Sequence, residues 1–176
     1  MKTHYETPKL TGTVLAIGAF DGVHRGHQIV IREAVQRSKL YNVSSTVYTF
    51  DPPPRAYFQG KQILSPIKEK LRRLSLLEVD HTVIAPFNDE YLTRSASEFI
   101  REIALLNPVE ILVGKDFHFG QNREGNVNLL SSYFKVKVIE PVCCSNGEMI
   151  SSTRIRELVS LGKYKKAFTL LGWPVY

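Results

Sequence analysis

The sequence predicts a doubly wound, Rossmann-like α/β domain on a parallel five-stranded sheet. Three observations carry that expectation. Short apolar runs alternate with segments of helical spacing along the whole chain. Several runs, such as 14–17 and 109–113, are near-continuously apolar, the mark of strands covered on both faces. The glycines, histidines, prolines and aspartates that punctuate the pattern fall just after these runs, where such sheets bind ligands.

Each element has its own signal. Residues 14–17 form a buried strand that ends at Gly18, and Ile29, Val30, Ile31, Ala34 and Val35 recur at helical spacing over about 26–40. Residues 45–50 are β-branched and aromatic, a second strand stopped by Pro52, Pro53 and Pro54. Ser65-Pro66 opens a helix with the stripe Ile67, Leu71, Leu74 and Leu77. A third strand runs over 81–87. Ser95 and Glu98 make a capping box for the next helix, which carries Phe99, Ile100, Ile103 and Ala104. Strands at 109–113 and 135–140 follow, with a short helix over 126–134 between them. Ser152 and Thr153 begin a helix with Ile155, Leu158 and Val159 inward. A last helix over 164–171 ends at Gly172, with Pro174 beyond it.

Composition bounds the function. In 176 residues, 43% are hydrophobic and 23% charged, ordinary for a globular chain with a sizeable core. No apolar run is long enough to span a bilayer, and the N-terminus has no signal core, so a cytoplasmic protein is expected. The adjacent Cys143 and Cys144 read as reduced thiols. The net charge of +6 favours anionic partners. Its densest clusters, 68–73 and 163–166, read as solvated helix faces without the aromatic interleaving of a nucleic-acid platform, so neither nucleic acid nor a membrane is expected as a partner.

Four segments hold the chemistry. The first, 18–27, runs from a strand into a helix and contains Gly18, Phe20, Asp21, Gly22, His24, Gly26 and His27. Its glycines allow close backbone approach, and the helix start offers free N–H groups to an anion. It is neither a Walker loop nor a dinucleotide fingerprint. His24 and His27, at i and i+3, lie on one side of the first turn and can donate ring N–H bonds to phosphate oxygens. Satisfied loop histidines are the plain alternative, and no third ligand at zinc-like spacing favours a metal. Asp21 reads more readily as a loop-capping carboxylate than as a ligand. The second segment, 150–156, puts Ser151, Ser152 and Thr153 before a helix with Arg154 and Arg156 in its first turn. That placement opposes the helix dipole unless an anion binds there. The third, 113–120, offers Gly114, Asp116 for a ribose hydroxyl or hydrated Mg2+, and Phe117 and Phe119 for a flat ring or for the core. The fourth, 49–58, sets Pro52, Pro53 and Pro54 before Tyr57 and Phe58, an aromatic wall or a stiff turn.

In this order the four segments resemble the FAD synthetase (FMN adenylyltransferase) module of bacterial bifunctional riboflavin kinase/FAD synthetases. The family reads G-x-F-D-G-V-H-x-G-H, T-F-x-P-H-P, G-x-D-F-x-F-G-x-x-R-x-G and S-S-T-x-I-R. Here these are residues 18–27, 49–54, 114–125 and 151–156. The family histidine of the second motif is Pro53. The resemblance implies a nucleotidylyltransferase-type fold and transfer of AMP from ATP to FMN, with FAD and pyrophosphate as products and Mg2+ accompanying ATP. It implies catalytic roles for His24, His27, Ser152, Thr153 and Arg156. ATP would contact those residues with Gly18, Phe20, Asp21, Gly22, Gly26, Gly114 and Asp116, and FMN would lie against Pro52, Pro54, Phe58, Phe117, Phe119 and Arg123. The family continues into a riboflavin kinase barrel beyond the point reached here. The expectation is therefore one adenylyltransferase domain over 1–176 without kinase activity, standing alone or cut from a longer protein. Two other readings remain open at this stage: a nucleotidyltransferase for another phosphorylated acceptor, and a non-catalytic nucleotide- or flavin-binding regulator.

Overall fold

A computed structural model describes residues 1–144 and 146–173. Pro174, expected after the last helix, lies outside them. In chain order the strands are β1 (Lys2–His4), β2 (Thr13–Ile17), β3 (Ser44–Asp51), β4 (His81–Pro86), β5 (Pro108–Gly114), β6 (His118–Phe119), β7 (Gly125–Asn126) and β8 (Val136–Ile139). The helices are α1 (Arg25–Tyr41), α2 (Pro54–Gln59), α3 (Ile67–Leu76), α4 (Asp89–Leu92), α5 (Ala96–Ala104), α6 (Val127–Ser131), α7 (Ser152–Ser160) and α8 (Tyr164–Leu171).

Among the described residues, six parallel strands form one sheet in the order β1-β4-β3-β2-β5-β8. The sequence predicts five. The sixth, β1, is a polar three-residue edge strand, too short for a periodic signal. The chain walks outward from β2 through β3 to β4, then returns to the other side of β2 for β5 and β8. Strand order therefore reverses between β2 and β5, and their carboxyl ends, Gly18 and Gly114, flank the switch point.

Alternation on the strands divides the core. Leu15, Ile17, Tyr48, Phe50, Ile111 and Val113 face α5, with Phe99, Ile100 and Ile103 packed against them. Val14, Ala16, Val47 and Leu112 face α1 and α3, against Ile31, Ala34, Val35 and Leu74. Both faces are covered at the central strands β2, β3, β4 and β5, whereas the edge strands β1 and β8 stay partly exposed. A smaller cluster of Ile150, Ile155, Ala167, Leu170 and Leu171 holds α7 and α8 together.

The capping box at Ser95 and the stop at Gly172 form as predicted, while Pro66 stands at the N-cap of α3 and not at its first helical position. Ser95 Oγ accepts from Glu98 N at 3.2 Å, and Glu98 Oε2 accepts from Ser95 N at 2.7 Å. Two other local expectations change. The prolines do stop β3, but Pro54 then starts α2, because its fixed φ suits the first helical position. The basic cluster 68–73 is not uniformly solvated. Lys70 is only 1% exposed, and Arg73 donates to Gly22 O at 2.7 Å while lying over the Trp173 ring. Charge alone does not reveal that one lysine of a helix points inward. The cluster at 163–166 is exposed, and Cys143 and Cys144 are free thiols. Among the described residues no helix is long and apolar enough to cross a membrane.

Candidate active site

Local backbone chemistry builds the first wall. After β2 the chain turns sharply through Phe20 and Gly22, both at positive φ, and enters α1. Gly22 has φ near 80°, which its missing Cβ permits. His24 is the N-cap of α1, and its Nδ1 accepts from His27 N at 3.3 Å. That bond puts the ring proton of His24 on Nε2. The His24 and His27 rings stack at 3.5 Å, and the Phe20 ring meets His27 edge-on at 5.3 Å. Gly26 makes the stack possible: a Cβ there would lie 3.2 Å from His24 Nδ1 and 3.4 Å from Ile150 O.

Both histidines are neutral in the free protein. Burial above all, with the charge of Arg156, lowers the pKa of His24 to about 4, against its own backbone hydrogen bond. His27 is pushed well below the usual range by burial, by His24 and by Lys70. Nδ1 of His27 is buried without a hydrogen-bond partner among the described residues.

The second wall is the start of α7. Ser151 caps it, accepting from Arg154 N at 3.3 Å. Ser152 Oγ donates to Asp21 O at 3.0 Å, which ties the two helix starts together. Thr153 Oγ1 accepts from Arg55 on α2. Arg156 donates to the Asp21 carboxylate and to Gln62 O. Asp21 also accepts the backbone N–H groups of Leu64 and Ser65, with contacts of 3.0 to 3.2 Å. Its carboxylate is thus the loop-capping group that the residue type allowed.

Two adjoining cavities open at the switch point. The larger, about 510 Å3, carries most of the phosphate-type candidates: Gly18, Asp21, His24, Gly26, His27, Gly114, Asp116, Ser152 and Arg156. The smaller, about 250 Å3, is largely apolar, with Phe50, Phe87, Tyr91, Leu92, Phe99 and Phe119 among its walls and Arg94 and His118 also on it. Gly18, Ala19, Pro54, Asp116, Phe117 and Arg123 line both.

Some candidates stand elsewhere. Neither cavity is lined by Pro52 or Phe58. Phe58 is 64% exposed and packs on the outside of Phe87. Pro53 lines the larger cavity, not the apolar one. Phe20, Gly22 and Thr153 also fall outside both linings. Phe20 supports His27 from behind, and Gly22 shapes the turn. Sequence reasoning missed Phe87, Tyr91 and Leu92, which come from the end of β4 and from α4, and read Phe50 and Phe99 only as strand and core. It also gave no role to Arg55 and Lys115 on the larger cavity. The only signal in the sequence was the aromatic density around 87–91.

Fold and site together define a doubly wound α/β domain with two adjoining cavities at its switch point. The fold is shared with a pantoate-β-alanine ligase (pantothenate synthetase) from Thermus thermophilus. That match has 17% identity and a TM-score of 0.61, over 95% of this chain and 71% of that one. A Streptococcus pneumoniae structure described as a macrolide-efflux protein matches with a TM-score of 0.84 and 28% identity, over 99% of this chain and 61% of that one.

Residues 6–154 match the FAD synthetase family, and the chain belongs to it. A relative from Geobacillus thermodenitrificans (strain NG80-2), provisionally named a bifunctional riboflavin kinase/FMN adenylyltransferase, is 51% identical over 99% of both chains. The FAD synthetase of Listeria monocytogenes serovar 1/2a (strain ATCC BAA-679 / EGD-e) is 36% identical over 93% of this chain and 70% of its own. The bifunctional riboflavin kinase/FMN adenylyltransferase of Buchnera aphidicola subsp. Acyrthosiphon pisum (strain APS) is 35% identical over 92% of this chain. This chain spans 55% of that protein's length.

Proposed function

We propose that the chain transfers AMP from ATP to the phosphate of FMN, giving FAD and pyrophosphate. The observation that carries this reading is the junction of a cavity lined by His24, His27, Ser152 and Arg156, bordered by two helix starts, with one walled by aromatic rings. A reaction that joins a nucleotide to a flavin phosphate needs such a pair, with the reacting groups meeting between them.

The chemistry asks for alignment rather than a base. A phosphate monoester has a second pKa of about 6, so FMN is largely dianionic at neutral pH and can attack the α-phosphorus directly. In-line attack by one anion on another needs positioning and charge neutralisation. His24 and His27 enter neutral, as hydrogen-bond donors to the α- and β-phosphates, with the positive end of α1 behind them. Ser152 and Arg156 at the start of α7 suit the departing pyrophosphate, with Thr153 outside the lining and holding Arg55 beside it. Mg2+ arrives with ATP as part of the substrate, and Asp116 and Glu140 are cavity carboxylates able to take its water ligands. The isoalloxazine ring suits the apolar cavity, between Phe117 and the Phe87–Tyr91 wall. This assigns FMN recognition to Pro54, Phe117, Phe119 and Arg123, with Pro52 and Phe58 in a supporting row. The unit so described is one adenylyltransferase domain acting in the cytoplasm.

The test is incubation of the purified chain with ATP, Mg2+ and either FMN or riboflavin, followed by chromatography of the flavins. FAD formed from FMN, with pyrophosphate released in equal amount, is the expected result. ATP binding without FAD formation refutes the reading.

A further inference from the structure

Lys70 is a buried cation that the adenylyl-transfer reading does not use. It sits on α3, inside the protein behind the cavity floor. Its three ammonium protons have three acceptors: Ala19 O at 3.0 Å, Phe50 O at 3.0 Å and Thr49 Oγ1 at 3.3 Å. Thr49 Oγ1 in turn donates to Ala19 O at 3.0 Å. No carboxylate lies within ion-pair distance of its ammonium among the described residues; Asp21 and Asp51 act on it only as more distant charges.

The acceptors are the informative part. The last backbone bond between the ends of β2 and β3 is Gly18 N to Tyr48 O, at 3.1 Å. Beyond it the strands part, and the carbonyls of Ala19 and Phe50 lose their ladder partners. Lys70 bridges them. Ala19 lines both cavities, and Phe50 lines the apolar one. A buried ammonium is an expensive way to satisfy two carbonyls that a neutral donor could serve. A positive charge behind the meeting point of two anions gives it a use.

We propose that Lys70 is a positioning residue for adenylyl transfer, fixing the Ala19 turn where the two cavities meet and lending that point a buried positive charge. The proposal rests on the adenylyltransferase reading. Lys70 lines neither cavity, so its effect belongs on kcat rather than on either KM. The charged groups around it are Asp21 in the turn before α1, Asp51 at the end of β3 and His27 on α1. Burial lowers its own pKa to about 8, partly opposed by the two aspartates. The ammonium therefore begins to neutralise in mildly alkaline solution, where ATP, FMN and both histidines no longer change charge.

The experiment combines Lys70→Met and Lys70→Arg with a pH–rate profile of the unmodified chain. Lys70→Met is expected to lower kcat at least tenfold and leave both KM values within about threefold. The unmodified chain should lose activity along an alkaline limb near pH 8 while its circular dichroism stays native. Lys70→Arg should move that limb upward by more than one pH unit. A folded Lys70→Met with unchanged kcat overturns the proposal. If Lys70→Met does not fold, the limb in the unmodified chain decides, and its absence is equally fatal. NMR of the lysine side-chain methylenes gives a readout independent of turnover: one lysine should titrate near pH 8. If the unmodified chain makes no FAD, the adenylyltransferase reading fails by itself, whatever that lysine does.

Discussion

Arg156 and Asp21 face each other across the two helix starts, and the guanidinium of the first donates to the carboxylate of the second. Both side chains are largely buried, and Asp21 also holds the backbone at Leu64 and Ser65. One carboxylate therefore joins the turn before α1, the turn before α3 and the first turn of α7. The arginine proposed to meet pyrophosphate is oriented by the same turn that presents the histidines.

Asp21→Asn should show how much that junction holds. Removing one charge of a buried pair leaves the other unmatched, which costs roughly 3 kcal/mol. For a chain of this size that is a fall of about 6–12 °C in Tm. Calorimetry checks it. An unchanged Tm would mean that Arg156 has another partner ready.

His24 has two separable jobs. As N-cap it supports α1, and loss of a cap costs about 1 kcal/mol. As a ring donor it is proposed to bind phosphate. His24→Ala should lose both. His24→Asn keeps a good capping side chain and should restore most of the Tm, with kcat still reduced at least a hundredfold. Recovery of kcat along with Tm would reduce His24 to its capping role.

The depressed pKa of His24 also sets an acid limit. Its folded value of about 4 lies below the unfolded value of 6.5, so the unfolded chain binds the proton first. The associated stability is full above pH 6.5 and declines as pH falls toward 4, by on the order of 3 kcal/mol. Denaturant titrations across that window should show the decline. His24→Asn should make the decline shallower, leaving the part that the buried His27 contributes, and equal slopes in the two proteins would contradict the assignment.

Gly26→Ala should divide stability from turnover. Alanine favours a helix interior over glycine by about 1 kcal/mol. The new methyl crowds the His24 ring at 3.2 Å. The expected outcome is a Tm within a few degrees of the original and kcat lowered roughly tenfold, because a small displacement of an aligned group is enough. Steady-state kinetics and a melting curve decide it.

Leu92→Trp tests the division of labour between the cavities. Leu92 lines only the apolar one. A tryptophan there should raise the KM for FMN at least tenfold and leave the KM for ATP unchanged. Equal changes in both would argue that the flavin lies elsewhere.

By itself, the sequence determined the layered α/β fold, the capping box at Ser95 and the four segments that carry unusual chemistry. These are local or periodic properties: a run buried on both faces, a serine three residues before a glutamate, histidines one turn apart. It also placed Gly18 and Gly114 at strand ends, because the apolar runs stop there. Only the tertiary structure decided which of those side chains share a space. Phe87, Tyr91 and Leu92 join the apolar cavity from the end of β4 and from α4, far from any motif, because the sheet order brings the end of β4 beside β3. Phe58, inside a motif, is turned outward by α2. Lys70 reads as one more charge in a basic helix until α3 packs it against the ends of β2 and β3. Periodicity reports which face of an element is buried, whereas the partner across that face is fixed by the topology of the sheet.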